Sequence, residues 1–180
     1  MKSSNSEELR NLIEKLDRSN YDEIGRLCDS TKKQADKLQQ LEVHQATSQY
    51  VVLCNRMIEE VQFYIKNKKE NFVPYIHTLF EKDESGHDCR NCGSTGSCGM
   101  QHEMQISEVI QSQIKLKDIL NRLQMTSLPL YSETIYPDAY RILRNQMALL
   151  ENRLTDVFFF EESYLLPKIV EAQKNIHVRS

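Results

Sequence analysis

The stretch YPDAYRILRNQMALLENRLTDVFFFEESYLLPKI, residues 136–169, decides the fold class. Its apolar residues recur three and four positions apart, which is the spacing of one face of an α-helix. Pro137 suits the first turn of this helix, because a proline at that point has no helical hydrogen bond to lose. The predicted buried seam consists of Tyr140, Leu143, Met147, Leu150, Leu154, Val157, Glu161 and Tyr164.

The same spacing recurs along the rest of the chain, and no alternating strand pattern competes with it. Four further helices are predicted, over about 6–16, 20–38, 50–68 and 100–125. Long helices joined by shorter segments favour a bundle. We therefore expect a single all-α domain over residues 1–180, an up-down four-helix bundle with a short extra N-terminal helix.

Composition agrees with this fold and limits the function. Charged residues make up 27% of the chain and apolar residues 39%, with five glycines and four prolines, which suits helices. The net charge of −3 gives no reason to expect nucleic acid or an anionic membrane as partner. No apolar run approaches the ~20 residues that a membrane helix needs, and the polar start lacks a signal-peptide core. We expect a cytoplasmic protein.

Two predicted seams contain a charged residue where an apolar one belongs. Glu161 stands on the last helix and Lys68 on the third predicted helix of the series. Burying either side chain alone would cost several kcal/mol. The two side chains therefore either lie at the end of the bundle and reach water, or form an ion pair inside it.

A short internal repeat pairs these two residues. The segments KKENFVPYI, from Lys68, and EESYLLPKI, from Glu161, superpose with their prolines aligned. This alignment places Lys68 opposite Glu161 and Tyr64 opposite Val157. It favours an ion pair inside the bundle over exposure to water.

Residues 136–169 and the FVPYI segment resemble hemerythrin-like proteins that repair iron centres under nitrosative and oxidative stress. In that family each half of the bundle gives a His-x-x-x-Glu pair to two bridged irons. The corresponding positions in this chain are Tyr64, Lys68, Glu108, Val157 and Glu161. The resemblance therefore implies a hemerythrin-like bundle with most iron ligands replaced, and no di-iron cofactor is expected.

The Cys/Gly/Ser-rich stretch over residues 84–100 is predicted to be a loop between the two helical halves. In and just beyond it lie His87, Cys89, Cys92, Cys98 and His102. Cys-x-x-Cys followed by further Cys or His is typical of a zinc site, because tetrahedral zinc takes four such ligands. A redox dithiol of Cys89 and Cys92 and a mobile loop with incidental thiols remain alternatives.

The leading functional hypothesis is a non-enzymatic, stress-related metal-binding or regulatory protein that has lost its di-iron centre. The sequence lacks a nucleophile elbow, a phosphate loop and paired catalytic carboxylates. The alternatives are an iron-centre repair protein with a rearranged metal site and a protein–protein interaction module. The aromatic run Phe158–Phe160 must turn at least one ring away from the seam, which offers a contact for a second copy or another protein.

Overall fold

The computed structural model describes residues 2–41, 45–89, 97–127 and 138–178. Within these ranges the chain forms four long helices and no β-strand, so the predicted all-α class is confirmed. The first long helix comprises α1 (Lys2–Lys15), a π-helical turn (Leu16–Tyr21) and α2 (Asp22–Gln39). The second comprises α3 (Gln45–Asn67), a π turn (Lys68–Phe72) and α4 (Val73–Glu84).

The third long helix is α5 (Ser97–Ser127), and its residues are α-helical throughout. The fourth comprises α6 (Asp138–Phe160), a π turn (Glu161–Leu165) and α7 (Leu166–Val178). Three of the four long helices in the described ranges thus contain one wide turn. Such turns are rare and are frequently found at functional sites.

The prediction of a separate N-terminal helix is wrong, because the first long helix runs without a break through Ser19 and Asn20. Neither residue caps a new helix, and no side-chain cap is formed at the start of α2. The apolar spacing widens to five residues between Leu16 and Tyr21 and then returns to three at Ile24. A π turn accommodates the extra residue and keeps all three side chains buried.

The second and fourth long helices are structural equivalents. Their α, π and α segments begin at residues 45, 68 and 73 in the second helix and at 138, 161 and 166 in the fourth, each 93 residues later. Pro74 and Pro167 occupy the second position of α4 and α7, directly after the π turns. The internal repeat that the sequence indicated around Lys68 and Glu161 is confirmed and extends over the whole length of both helices.

The helices pack around one apolar core. Helix α2 contacts α3 and α6, α3 contacts α5, and α4 contacts α7 and α1. Cys28 and Cys54 are fully buried within this core. Tyr50 and Tyr140 meet edge to face there, with ring centroids 5.4 Å apart.

Polar contacts tie the long helices together at several heights. Those between the first and second helices are Arg10–Glu84, Lys69–Asp22 and Gln62–Asp29. Those between the third and fourth are Gln113–Glu161, Lys117–Glu162 and Gln124–Glu151. Those between the second and fourth are Lys68–Glu161, Gln173–Tyr75 and Asn175–Asp83.

In the described part of the chain, no helix combines the length and the apolarity needed to cross a membrane.

Candidate functional site: a buried carboxylate shared by four helices

The carboxylate of Glu161 lies in the interior of the bundle and is 0% exposed. Tyr21 donates a hydrogen bond of 2.5 Å to Oε1. Oε2 accepts hydrogen bonds from the Tyr64 hydroxyl at 2.6 Å, from Lys68 Nζ at 3.0 Å and from Gln113 Nε2 at 2.6 Å. Because these donors come from the first three long helices, one side chain of the fourth helix joins all four. We call these five residues the Glu161 network.

Lys68 supplies the positive charge of the Glu161 network, and its side chain is only 2% exposed. Its ammonium lies 4.1 Å from the ring centroid of Phe72 and 5.0 Å from that of Tyr64, where ring faces attract a cation. Burial lowers the pKa of Lys68, and the negative charge of Glu161 acts in the opposite direction. The predicted ion pair inside the bundle is confirmed, and the alternative of two side chains reaching water is wrong.

The two tyrosines of the Glu161 network act as neutral donors. Burial and then the charge of Glu161 raise the pKa of Tyr21 well above its ordinary value. The same two causes, in the same order, raise the pKa of Tyr64. Both hydroxyls therefore keep their protons, and each proton is directed at the carboxylate.

The internal repeat relates members of the Glu161 network to one another. Lys68 and Glu161 are equivalent, and each begins a π turn. Tyr64 is equivalent to Val157, which is buried and apolar. The first and third helices match in the same way. A buried residue at the start of the first π turn matches a residue 93 positions later, whereas buried residues from the end of that turn onward match residues 92 positions later, because the turn adds one residue to the first helix. The matched pairs are Leu16 with Val109, Tyr21 with Gln113, and Ile24 with Leu116.

One residue proposed for this site from the sequence lies elsewhere. Glu108, which the family resemblance places among the former iron-ligand positions, is exposed and does not lie with Lys68 and Glu161 as a second carboxylate. The third helix instead contributes Gln113, which is buried. Sequence analysis missed Gln113 and Tyr21 as site residues. Gln113 gave a signal, since it is a polar residue at a seam position of its helix.

The Glu161 network does not suit the di-iron centre that the family resemblance raises. Such a centre needs several carboxylate and imidazole ligands. The network contains one carboxylate and no imidazole, both carboxylate oxygens already accept hydrogen bonds, and an ammonium lies beside them. Among all the described residues, no group of three or more His, Cys, Asp or Glu side chains is placed to hold a metal ion.

The structure describes only part of the predicted cysteine site. Cys89 forms no disulfide with a described residue, is 8% exposed and follows a turn at Gly86, whose φ of 72° favours glycine. His87 is partly buried, while Cys92 lies outside the described residues. The third helix begins at Ser97, so the predicted loop ends earlier than residue 100. The side chains of Cys98 and His102 also lie outside the described set, and zinc, dithiol and incidental thiols all stay predictions.

The two most pronounced surface grooves on the described part of the chain are not lined by any residue of the Glu161 network. One of them has a volume of about 280 Å³ and runs from the π turn of the second helix along α4, where Glu70, Tyr75 and Lys82 line it. Comparison with protein families, with curated proteins and with solved structures gives no match. Membership of the hemerythrin-like family therefore remains a proposal based on the sequence resemblance.

Proposed function

We propose that this chain is a non-enzymatic, hemerythrin-like regulatory or metal-binding bundle in which protein donors replace the di-iron centre. The observation that carries the proposal is the enclosure of Glu161 by Lys68, two tyrosines and a glutamine. Lys68 balances the negative charge of Glu161, and the four donors occupy the carboxylate oxygens that would otherwise coordinate metal. The bundle keeps a polar centre that ties its helices together without iron.

The directions of the helices support an up-down arrangement. Along the first helix, residues 10, 22 and 29 contact residues 84, 69 and 62 of the second, so the two helices run in opposite directions. Residues 113 and 124 of the third helix contact 161 and 151 of the fourth in the same opposed sense. Residues 68, 75 and 83 of the second helix follow 161, 173 and 175 of the fourth in parallel. An up-down-up-down bundle satisfies all three relations.

The burial of the Glu161 network supports a non-enzymatic role. A general acid or base must come within hydrogen-bond reach of a substrate, directly or through one water molecule. Both ionised members of the network, Lys68 and Glu161, are buried, and each is already bound to the other. The predicted cytoplasmic setting agrees with Cys28, Cys54 and Cys89, none of which forms a disulfide with another described residue.

Metal analysis and visible spectroscopy of the purified chain, after aerobic incubation with Fe(II), test this proposal. We expect no stoichiometric iron and no ligand-to-metal band. Two irons per chain with such a band would instead establish the iron-centre repair alternative. Stoichiometric zinc that is lost when Cys89, Cys92 and Cys98 are replaced by serine would place metal binding in the cysteine segment. Zinc retained by that variant would contradict a cysteine site.

An interaction module is the second candidate, and an exposed aromatic cluster favours it. Phe158 is buried while Phe159 is exposed, which confirms that the Phe158–Phe160 run turns a ring outward. Tyr164, which the sequence placed on the buried seam, is instead exposed, because the π turn buries Leu165 in its place. Its ring lies 6.1 Å from that of Phe159 and 5.8 Å from that of Phe160. A Phe159→Glu variant that loses a partner the wild-type chain retains would support this candidate, provided that both chains give the same thermal melt.

A further inference from the structure

The boundary between the third and fourth helices is held less closely than the other boundaries beside α2 and α3. Helix α2 packs closely on α3 and on α6, and α3 packs closely on α5. Among the described residues, by contrast, α5 approaches α6 and its π turn at only a few points. Long polar side chains bridge this third–fourth boundary, at Gln113–Glu161, Lys117–Glu162 and Gln124–Glu151. It is therefore the least tightly closed side of the bundle at the height of the Glu161 network.

An exposed ion pair lies directly outside the network at this boundary. Lys117 stands one helical turn after Gln113, and Glu162 follows Glu161 in the chain. Lys117 Nζ binds Glu162 Oε1 at 2.6 Å, and both side chains are about half exposed. The pair thus joins the same two helices as the buried contact of Gln113 with Glu161, but on the solvent side of that contact.

The ring of Phe158 separates this ion pair from the network. It is 3% exposed, and the ammonium of Lys117 lies 5.5 Å from its centroid. On its other side it meets the ring of Tyr64 edge to face, with centroids 5.8 Å apart. The Tyr64 hydroxyl in turn donates to Glu161 at 2.6 Å. One line of contacts therefore leads from solvent through Lys117, Phe158 and Tyr64 to the buried carboxylate.

The internal repeat shows that the fold does not require this arrangement. At the first–second boundary, the position equivalent to Lys117 has no side chain, the aromatic ring is replaced by an aliphatic side chain, and the acidic residue is replaced by a basic one. The matched pairs are Lys117 with Gly25, Phe158 with Ile65, and Glu162 with Lys69. A lysine that covers an aromatic ring is thus present at the loosely held boundary and absent from its equivalent.

We propose that Lys117, Glu162 and Phe158 form a gate through which solvent water reaches the Glu161 network in the folded chain. An exposed ion pair breaks at little cost, and the Phe158 ring then loses the cation that lies against it. The ring turns aside between two helices that are not closely packed, and water reaches the Tyr64 hydroxyl. The gate admits water rather than a substrate, because both oxygens of Glu161 keep their donors. The network thereby exchanges protons with solvent without unfolding of the bundle.

Proton NMR of the purified chain at a fixed pH tests the gate, because Tyr21 and Tyr64 each direct a hydroxyl proton at Glu161. The Tyr21→Phe and Tyr64→Phe variants assign the two hydroxyl signals. We expect Lys117→Ala to speed the exchange of the Tyr64 hydroxyl with water about tenfold, since it removes both the ion pair and the cation on the ring. Glu162→Gln removes only the ion pair, so it should act in the same direction by a smaller factor.

Lys69→Ala is the matched control, because Lys69 is the repeat equivalent of Glu162 and binds Asp22 in a partly exposed pair at the first–second boundary. It should change the exchange rate by less than about threefold. Low concentrations of urea should leave the rate unchanged, because the gate exposes little surface, whereas exchange through global unfolding rises steeply with urea. An equal effect of Lys69→Ala, no effect of Lys117→Ala, a urea dependence equal to that of unfolding, or wild-type hydroxyl protons that exchange too fast to be observed would each overturn the proposal.

Discussion

Replacing Lys68 by methionine removes the cation of the Glu161 network and keeps the length of the side chain. Lys68 is 2% exposed and Glu161 is 0% exposed, and the ammonium lies 3.0 Å from the carboxylate. Removing one member of a buried ion pair typically costs about 3–5 kcal/mol, because the other charge is left without compensation. Three neutral donors still hold Glu161, so we expect about 3 kcal/mol, a large share of the roughly 5–15 kcal/mol that stabilises a domain.

Replacing Glu161 by leucine should be more damaging. It leaves the ammonium of Lys68 buried without its partner, and it also strands the donors of Tyr21, Tyr64 and Gln113. Each stranded neutral donor costs about 1–3 kcal/mol. Lys68→Met combined with Glu161→Leu removes both charges yet leaves the same three donors unpaired, so it should not restore stability. Adding Tyr21→Phe, Tyr64→Phe and Gln113→Leu should restore much of the loss.

Urea unfolding followed by circular dichroism, at one fixed chain concentration, measures these free energies. Arg10→Met is the matched control, because Arg10 binds Glu84 at 2.9 Å in a pair that is about half exposed. Such a pair contributes about 0–1 kcal/mol. The reasoning fails if Lys68→Met costs no more than Arg10→Met, or if the Lys68→Met and Glu161→Leu double variant is as stable as the wild-type chain.

Three further outcomes follow from the same structure. Because the pKa values of Tyr21 and Tyr64 are raised, the folded chain keeps protons that the unfolded chain releases above about pH 10. Stability should therefore fall as the pH rises beyond that value, and more steeply in the wild-type chain than in Tyr21→Phe, as urea unfolding at several alkaline pH values would record. Burial raises the pKa of Cys28 to about 12, so this thiol should resist a disulfide reagent at pH 8 until the chain unfolds; fast labelling of the folded chain would contradict this. Gly25→Ala should raise the free energy of unfolding by about 0.5–1 kcal/mol, since a Cβ there meets nothing within 4 Å in a helix interior; a lower melting temperature would count against it.

The pairing of Lys68 with Glu161 was predictable because two physical signals coincided. Each residue interrupts an apolar helical seam, and a short repeat aligns the two positions. A charge on a seam needs a partner, and the repeat identified that partner. The tyrosines gave no comparable signal, because a tyrosine on a seam is equally suited to an apolar core, where only its hydroxyl needs a partner.

The continuous first helix was not predictable from a periodicity of three and four. The five-residue step from Leu16 to Tyr21 indicates either a break or a π turn, and Ser19 and Asn20 favoured a break because they are common helix caps. Burial decides between the two. Both apolar residues lie in the core, and a single wide turn buries them without ending the helix.

The three π turns have a mechanical consequence. Each of them begins or ends at a member of the Glu161 network, at Tyr21, Lys68 and Glu161, so the wide turns lie at one height of the bundle. Turns of this kind are among the places where helices kink. Only the third helix passes this height as an unbroken α-helical rod, and from it Gln113 reaches the same carboxylate. The network therefore joins the three helices, at the turns where a helix can bend, to the one helix that is α-helical throughout.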